Sequence, residues 1–189
     1  MNILAKLGIA STYFLSEKIK TEKDIVMPLP EEVAKRALVI AYMIGVYYDV
    51  NNEDLKSLID RQGLSDSLSV YESEILAKSE YDEEDMNNAG WWQESLQVLC
   101  WALKLTDEVN PLNEAEMTLA DQLPLNKSIK KFVSNTVLIS QNQLFEQYFT
   151  YNTIYHYLEK NEHILLDADR ILERYNTLKW LVGEDKVWN

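Results

Sequence analysis

Cysteine, histidine, glycine and proline are scarce in this sequence, at one, two, five and four residues of 189. The lone cysteine, Cys100, excludes an intrachain disulfide and a cysteine-rich metal site, and it fits a reducing compartment. With few glycines and prolines the chain has few turn signals, and its apolar residues recur at intervals of three and four rather than alternating. The sequence therefore predicts an all-α fold.

Positive charge is also scarce, because 18 Lys and Arg face 31 Asp and Glu and give a formal net charge of -13. A chain this acidic lacks the basic face that nucleic-acid phosphates or anionic membranes require. The longest apolar run, residues 37–48, is shorter than the roughly 20 residues that cross a bilayer. Residues 1–16 lack the basic cluster of a signal peptide and are predicted to form an amphipathic helix. We therefore expect a soluble cytoplasmic protein. Its acidity either indicates a basic partner or serves solubility alone, and for an acidic domain in general we favour solubility.

Helix start and stop signals predict a single-domain helical bundle of about seven to eight helices over residues 1–189. Pro30 begins one helix that runs to about Tyr48, and Gly63 ends the next. Ser69 and Glu72 have the spacing of a capping box. Further helices are predicted over residues 113–122, 140–160 and 167–182. The bundle is predicted to surround a central helix at residues 91–105, which carries three of the five tryptophans.

Charged residues interrupt three of the apolar helical stripes. Glu94 shares a helical face with Trp91 and Trp101, while Arg36 and Arg174 lie on the stripes of two other predicted helices. A buried charge is costly unless it is paired, so Arg36 and Arg174 are expected partners of Glu94. Such a constellation is either structural, which we favour, or a pocket in which arginines bind a carboxylate or phosphate.

Residues 72–85 hold seven carboxylates against a single lysine, Lys78. This segment is either a solvated helix entry, which is the favoured interpretation, or a surface that attracts a basic partner. The residues of that surface would be Glu80, Asp82, Glu83, Glu84 and Asp85.

His156, Glu159 and His163 have the three- and four-residue spacing of metal ligands on a helix. The helix is predicted to fray there, and a complete site needs further ligands, so we favour a solvent-facing trio over a metal site. The sequence contains no Gly-rich phosphate loop, nucleophile elbow or Glu-x-x-His pair. No cofactor is therefore predicted.

Three segments resemble a known family: residues 36–38, residues 92–103 and residues 173–181. Together they are similar to the bacterial domain of unknown function family 4272, over roughly residues 29–188. The resemblance implies no activity, but it implies that the family pattern includes Arg36, Glu94, Glu173, Arg174 and Trp180. These residues and Trp101 form the candidate buried polar network or pocket.

Two classes of function remain open. The first is a small protein-interaction module, for example an immunity protein that neutralises a basic toxin, where complementary charge speeds encounter. The alternative is an enzyme or small-ligand-binding domain that uses a polar pocket around Glu94, Arg36 and Arg174, roofed by Trp91, Trp92 and tyrosines. We favour the first, non-enzymatic class.

Overall fold

The computed structural model describes residues 3–10, 22–125, 127–161, 163, 165–185 and 188. All regular secondary structure in these residues is helical, which confirms the predicted all-α class. The eight α-helices described are α1 Ile3–Lys6, α2 Pro30–Met43, α3 Asn52–Gln62, α4 Val70–Ala77, α5 Glu83–Ala102, α6 Lys130–Ser134, α7 Gln141–Leu158 and α8 Ala168–Leu181. Short 3-10 helices occur at Glu22–Asp24, Ile44–Val46, Ser65–Ser67 and Leu119–Gln122. None of the helices described combines the length and the apolar character needed to cross a membrane.

Several helix ends follow directly from the local sequence. α2 begins at Pro30, whose missing N–H has no helical partner to lose. α3 ends at Gly63, which adopts a left-handed φ of 69°. Ser69 and Glu72 form the predicted capping box at the start of α4, because the Glu72 N–H donates to Ser69 Oγ and the Ser69 N–H donates to the Glu72 carboxylate. Asp167 caps α8 by accepting a hydrogen bond of 3.0 Å from the Arg170 N–H.

The core forms where α5 packs against α2 and α8, and where α8 also packs against α7. Every residue of α5 from Glu94 to Ala102 is buried, including Ser95 and Gln97. Burial of its apolar side chains stabilises the fold by roughly 1.5–3 kcal/mol for each large residue. The polar residues of the same segment must find partners on neighbouring elements, because an unpaired buried polar group is costly.

The helix predicted over residues 113–122 is wrong. Residues 103–118 contain no α-helix, and a 3-10 helix occupies only Leu119–Gln122. Side chains of α5 bind the backbone here, because the Ala115 N–H donates to Glu94 Oε1 and the Glu116 N–H donates to Gln97 Oε1, each over 3.2 Å. These tertiary hydrogen bonds take the place of helical ones.

Two further helices are shorter than their sequence patterns predict. α1 ends at Lys6, because Gly8 turns the chain with a φ of 70°. The rest of the amphipathic helix predicted over residues 1–16 falls partly on residues 11–16, which lie outside the described residues. α2 ends at Met43 rather than near Tyr48, and a 3-10 helix continues it to Val46.

Candidate functional site

Glu94 and Arg174, two of the predicted network residues, form a buried ion pair between α5 and α8. Arg174 Nε donates to Glu94 Oε2 over 2.7 Å, and Arg174 Nη2 lies 2.5 Å from the same oxygen. The Arg174 side chain is 1% exposed and that of Glu94 9%. Ionised hydrogen-bond partners in such a site interact strongly, because little water screens them.

The remaining guanidinium donors of Arg174 hold the loop that follows α5. Its Nη1 donates to the Asn110 carbonyl over 2.7 Å and to the Tyr151 hydroxyl over 3.0 Å, and its Nη2 donates to the Asn113 carbonyl over 2.9 Å. Burial raises the pKa of Tyr151 to about 12, so this phenol keeps its proton at neutral pH. Arg174 therefore has no donor left for a ligand, and its geometry is that of a structural residue.

Arg170, which the sequence analysis did not select, lies on the outer side of Glu94. Its Nε is 3.4 Å from Glu94 Oε1, and its Nη2 donates to Glu114 Oε1 over 3.2 Å. Arg170 lies four residues before Arg174 in α8, so the two arginines share one helical face. That spacing was the available signal in the sequence.

The predicted pairing of Arg36 with Glu94 is wrong. Arg36 Nη2 bonds to the buried carboxylate of Glu72, and Arg36 Nη1 donates to the Ser67 carbonyl over 2.8 Å. The guanidinium also lies 4.9 Å from the centre of the Trp188 ring. The Glu72 carboxylate accepts hydrogen bonds both from the Ser69 N–H at the start of α4 and from Arg36. The sequence pattern indicated only the first of these roles, the capping box.

Glu173 and Trp180, which the family resemblance singled out, line a separate cavity of about 270 Å³. Ser95 Oγ donates to Glu173 Oε1 over 2.5 Å, and Thr177 Oγ1 donates to Ser95 Oγ over 2.9 Å. Burial raises the pKa of Glu173, and the nearby Glu94 charge adds to this, whereas the Ser95 hydrogen bond opposes it. The Trp180 and Trp188 rings meet edge to face, 5.2 Å between centres. Trp101, the last member of the predicted network, is buried in the core.

The acidic segment of residues 72–85 divides into structural and exposed carboxylates. Asp85 is buried and accepts a hydrogen bond of 2.6 Å from Lys78 Nζ. It also forms a capping box with Asp82 at the start of α5. The exposed members are Glu74, Glu80, Asp82, Glu83 and Glu84. The predicted partner surface therefore loses Asp85, which is not accessible.

An exposed group of aromatic side chains lies beside the outer face of Glu94. Tyr47 and Tyr48 are 48% and 55% exposed, with ring centres 5.1 Å apart, and Met117 is 69% exposed. The Tyr47 ring packs on Gly90, where a Cβ would lie 3.0 Å from Tyr47 Cδ2. These side chains surround a cavity of about 310 Å³. We call this surface the acidic aromatic patch; its members are Tyr47, Tyr48, Trp91, Glu114, Met117, Asp167 and Arg170.

The candidate metal ligands do not come together on one helix. α7 ends at Leu158, and His156 Nδ1 lies 2.7 Å from the Glu159 carboxylate. The His163 ring is engaged by backbone, since Nε2 contacts the Leu7 carbonyl and Nδ1 accepts from the Leu165 N–H. Among the residues described, no group of three or more His, Cys, Asp or Glu is placed to hold a metal ion.

The fold and these contacts define an all-α protein in which buried arginine–carboxylate pairs connect the helices. The chain belongs to the family described as Domain of unknown function (DUF4272), whose sequence profile matches residues 1–189. This match confirms the resemblance predicted from the sequence. Comparisons with curated proteins and with solved structures found no match.

Proposed function

We propose that this protein binds a basic partner protein through the acidic aromatic patch. The observation that carries the proposal is the exposure of Tyr47, Tyr48 and Met117 around one cavity. Large apolar side chains that are exposed together mark interaction sites more often than isolated ones do. Tyrosine, tryptophan and methionine are also enriched at protein interfaces.

The carboxylates around the patch determine the charge of the partner. Glu114 is 83% exposed, and Asp167 lines the same cavity. Glu83 and Glu84 are exposed one turn before Asn87 and two turns before Trp91 of α5, which line the cavity, so they extend the same helical face. An arginine or lysine side chain of the partner would meet aromatic rings and carboxylates together, and both favour a cation.

The net charge of the whole chain also favours a positively charged partner. A net charge of -13 attracts a basic protein over long range and raises the rate of encounter. The same charge argues against binding to nucleic-acid phosphates. The protein that we propose is non-enzymatic and cytoplasmic, and the single cysteine fits that location. An immunity protein that neutralises a basic toxin is one member of this class, and a toxin gene next to the gene for this chain would favour it.

The test is affinity capture from the native cells with three tagged proteins, at low and high salt. They are the parent, the patch variant Tyr47→Ser/Tyr48→Ser, and the control variant Val70→Ser/Val137→Ser. The control removes two apolar side chains that are 76% and 63% exposed outside the patch. At low salt, we expect the parent and the control to capture the same protein, which contains more Lys and Arg than Asp and Glu. At high salt, neither should capture it.

The patch variant should lose that protein while it remains folded at the temperature of the capture, as thermal melts of all three proteins check. The proposal fails if the captured protein is acidic or neutral. It also fails if the patch variant captures the basic protein as well as the parent does.

A further inference from the structure

The cavity of about 270 Å³ next to Glu173 shares no residue with the acidic aromatic patch. Glu173 and Thr177 of α8 and Ser95 of α5 line it, with Trp180 and Trp188 beside them. Its volume lies below the roughly 300–1,000 Å³ of pockets for drug-sized ligands. An occupant must therefore be a small molecule.

Glu173 is half-buried, and only one of its two carboxylate oxygens has a protein partner. Ser95 donates to one of its oxygens, and Thr177 donates to Ser95, so two hydroxyls are committed to one side of the carboxylate. Within the described residues, the other oxygen receives no hydrogen bond and Glu173 takes part in no ion pair. The nearest lysine on the cavity wall, Lys179, is already paired with Asp185 at 3.2 Å.

Burial without a cation leaves Glu173 with a raised pKa, to which the Glu94 charge contributes. A positively charged ligand at the carboxylate would offset both the burial of Glu173 and the repulsion from Glu94. The indole rings of Trp180 and Trp188, which meet edge to face, are the best aromatic partners for a cation. Trp188 already has one such partner, because the Arg36 guanidinium lies 4.9 Å from the centre of its ring.

We propose that this cavity binds a small organic cation with a primary ammonium or guanidinium group, held by the free oxygen of Glu173 and by the rings of Trp180 and Trp188. The ligand donates hydrogen bonds to Glu173, and its alkyl part packs against the rings. This site is independent of the proposed protein partner, because the two surfaces have no residue in common.

The experiment is a calorimetric titration of the full chain with putrescine, agmatine and, as an uncharged control, the diol of the same chain length as putrescine. We expect saturable binding of at least one cation and none of the diol. Glu173→Gln keeps an oxygen that accepts from Ser95 but removes the charge. It should weaken binding about tenfold or more, as loss of a charge-assisted hydrogen bond does.

Glu74→Gln is the matched control, because it makes the same substitution at an exposed carboxylate outside the cavity. It should bind like the parent. The proposal is overturned if neither cation binds at about 1–10 mM, if the diol binds as well as the cations, or if Glu173→Gln binds like the parent.

A second readout needs no variant. The other charged groups on the cavity wall are Lys179 and Asp185, and the Glu94 charge acts on Glu173 from outside the cavity. A bound cation favours the ionised carboxylate, so the pKa of Glu173, followed by carboxyl carbon NMR, should fall at saturating putrescine or agmatine. An unchanged pKa at saturation would place the ligand elsewhere and overturn the proposal.

Discussion

At the residue scale, one carboxylate balances two guanidinium groups where little water reaches. The Glu94 side chain is 9% exposed, and it contacts Arg174 through Oε2 and Arg170 through Oε1. Removing one charge of a buried ion pair lowers stability by more than the pair itself contributes to it. The reason is that the remaining charge stays buried without a partner. Loss of Glu94 should therefore destabilise the fold strongly.

We predict that Glu94→Ala lowers the free energy of unfolding by about 3–5 kcal/mol. Glu94→Gln should cost less, because its amide oxygen can still accept from Arg174 Nε. Glu114→Ala is the control, since it removes an 83% exposed carboxylate from the same Arg170 and should change stability by about 1 kcal/mol or less. Urea unfolding measures all three, and a Glu94→Ala variant as stable as the parent would refute the structural role of the network.

Glu173 predicts a dependence of stability on pH. Its pKa is raised above 4.5 in the folded protein, so between 4.5 and the raised value the folded state binds more protons than the unfolded state. Stability contributed by this group therefore falls as pH rises through that window. Glu173→Gln lacks the effect, so the stability of the variant relative to the parent should increase from about pH 4.5, where the carboxyl group of the unfolded chain titrates, to neutral pH. Equal differences at the two pH values would contradict this.

The charged residues within the apolar helical stripes were correctly expected to be buried, but their partners could not all be predicted. Arg36 and Arg174 are both buried, as their apolar neighbours in sequence indicated. Which carboxylate each arginine meets depends on how α2, α4, α5 and α8 pack, and helical spacing carries no information about that. The contact between Trp188 and Arg36 could not be predicted either, because the two residues lie near opposite ends of the sequence.

At the scale of elements, helices with a local start or stop signal were predictable and the loop after α5 was not. Pro30, Gly63, Ser69 and Asp167 mark helix ends through the chemistry of one or two neighbouring residues. The segment 103–118 includes Pro111, which disfavours a helix, but its residues 113–118 belong to a predicted helix. It adopts an irregular path because its backbone groups bind the side chains of Glu94, Gln97 and Arg174.

The end of α8 gives a sharp prediction at this scale. Gly183 has a φ of 71°, and a Cβ there would lie 2.5 Å from the Val26 carbonyl oxygen, a backbone atom that cannot move easily. Gly63 has a φ of 69° with nothing within 4 Å of the same position. Gly63→Ala should therefore lower the free energy of unfolding by about 1–2 kcal/mol, the strain of a left-handed backbone with a Cβ. Gly183→Ala should lower it distinctly more. Equal losses in parallel urea unfolding would show that the Val26 contact is unimportant.

At the scale of the whole molecule, the charge of -13 is divided between groups that hold the fold and groups that face solvent. Asp85 belongs to the first class, because it is buried against Lys78 and caps α5. Glu80, Glu83 and Glu84 belong to the second. Only the second class can attract a partner at no cost to stability.

We predict that Glu80→Gln/Glu83→Gln/Glu84→Gln slows association with the captured basic partner and flattens its salt dependence. The melting temperature should fall only slightly, because Glu83 and Glu84 lie in the first turn of α5 but are exposed. Charges of this kind act over about 8 Å at physiological ionic strength, so added salt should slow the parent more than the variant. Asp85→Asn should instead lower the melting temperature. Stopped-flow association and thermal melts check both statements, and an unchanged rate in the triple variant at low salt would assign these residues to solvation alone.

The most direct test of the proposed function is site-specific photocrosslinking in the native cells. A photoreactive phenylalanine analogue replaces Tyr48 in the patch or, as a control, Val137, which is 63% exposed outside it. We predict one discrete adduct from position 48, with a protein rich in Lys and Arg, and no such adduct from position 137. The absence of an adduct at position 48, or the same adduct at both positions, would contradict a partner that binds at the acidic aromatic patch.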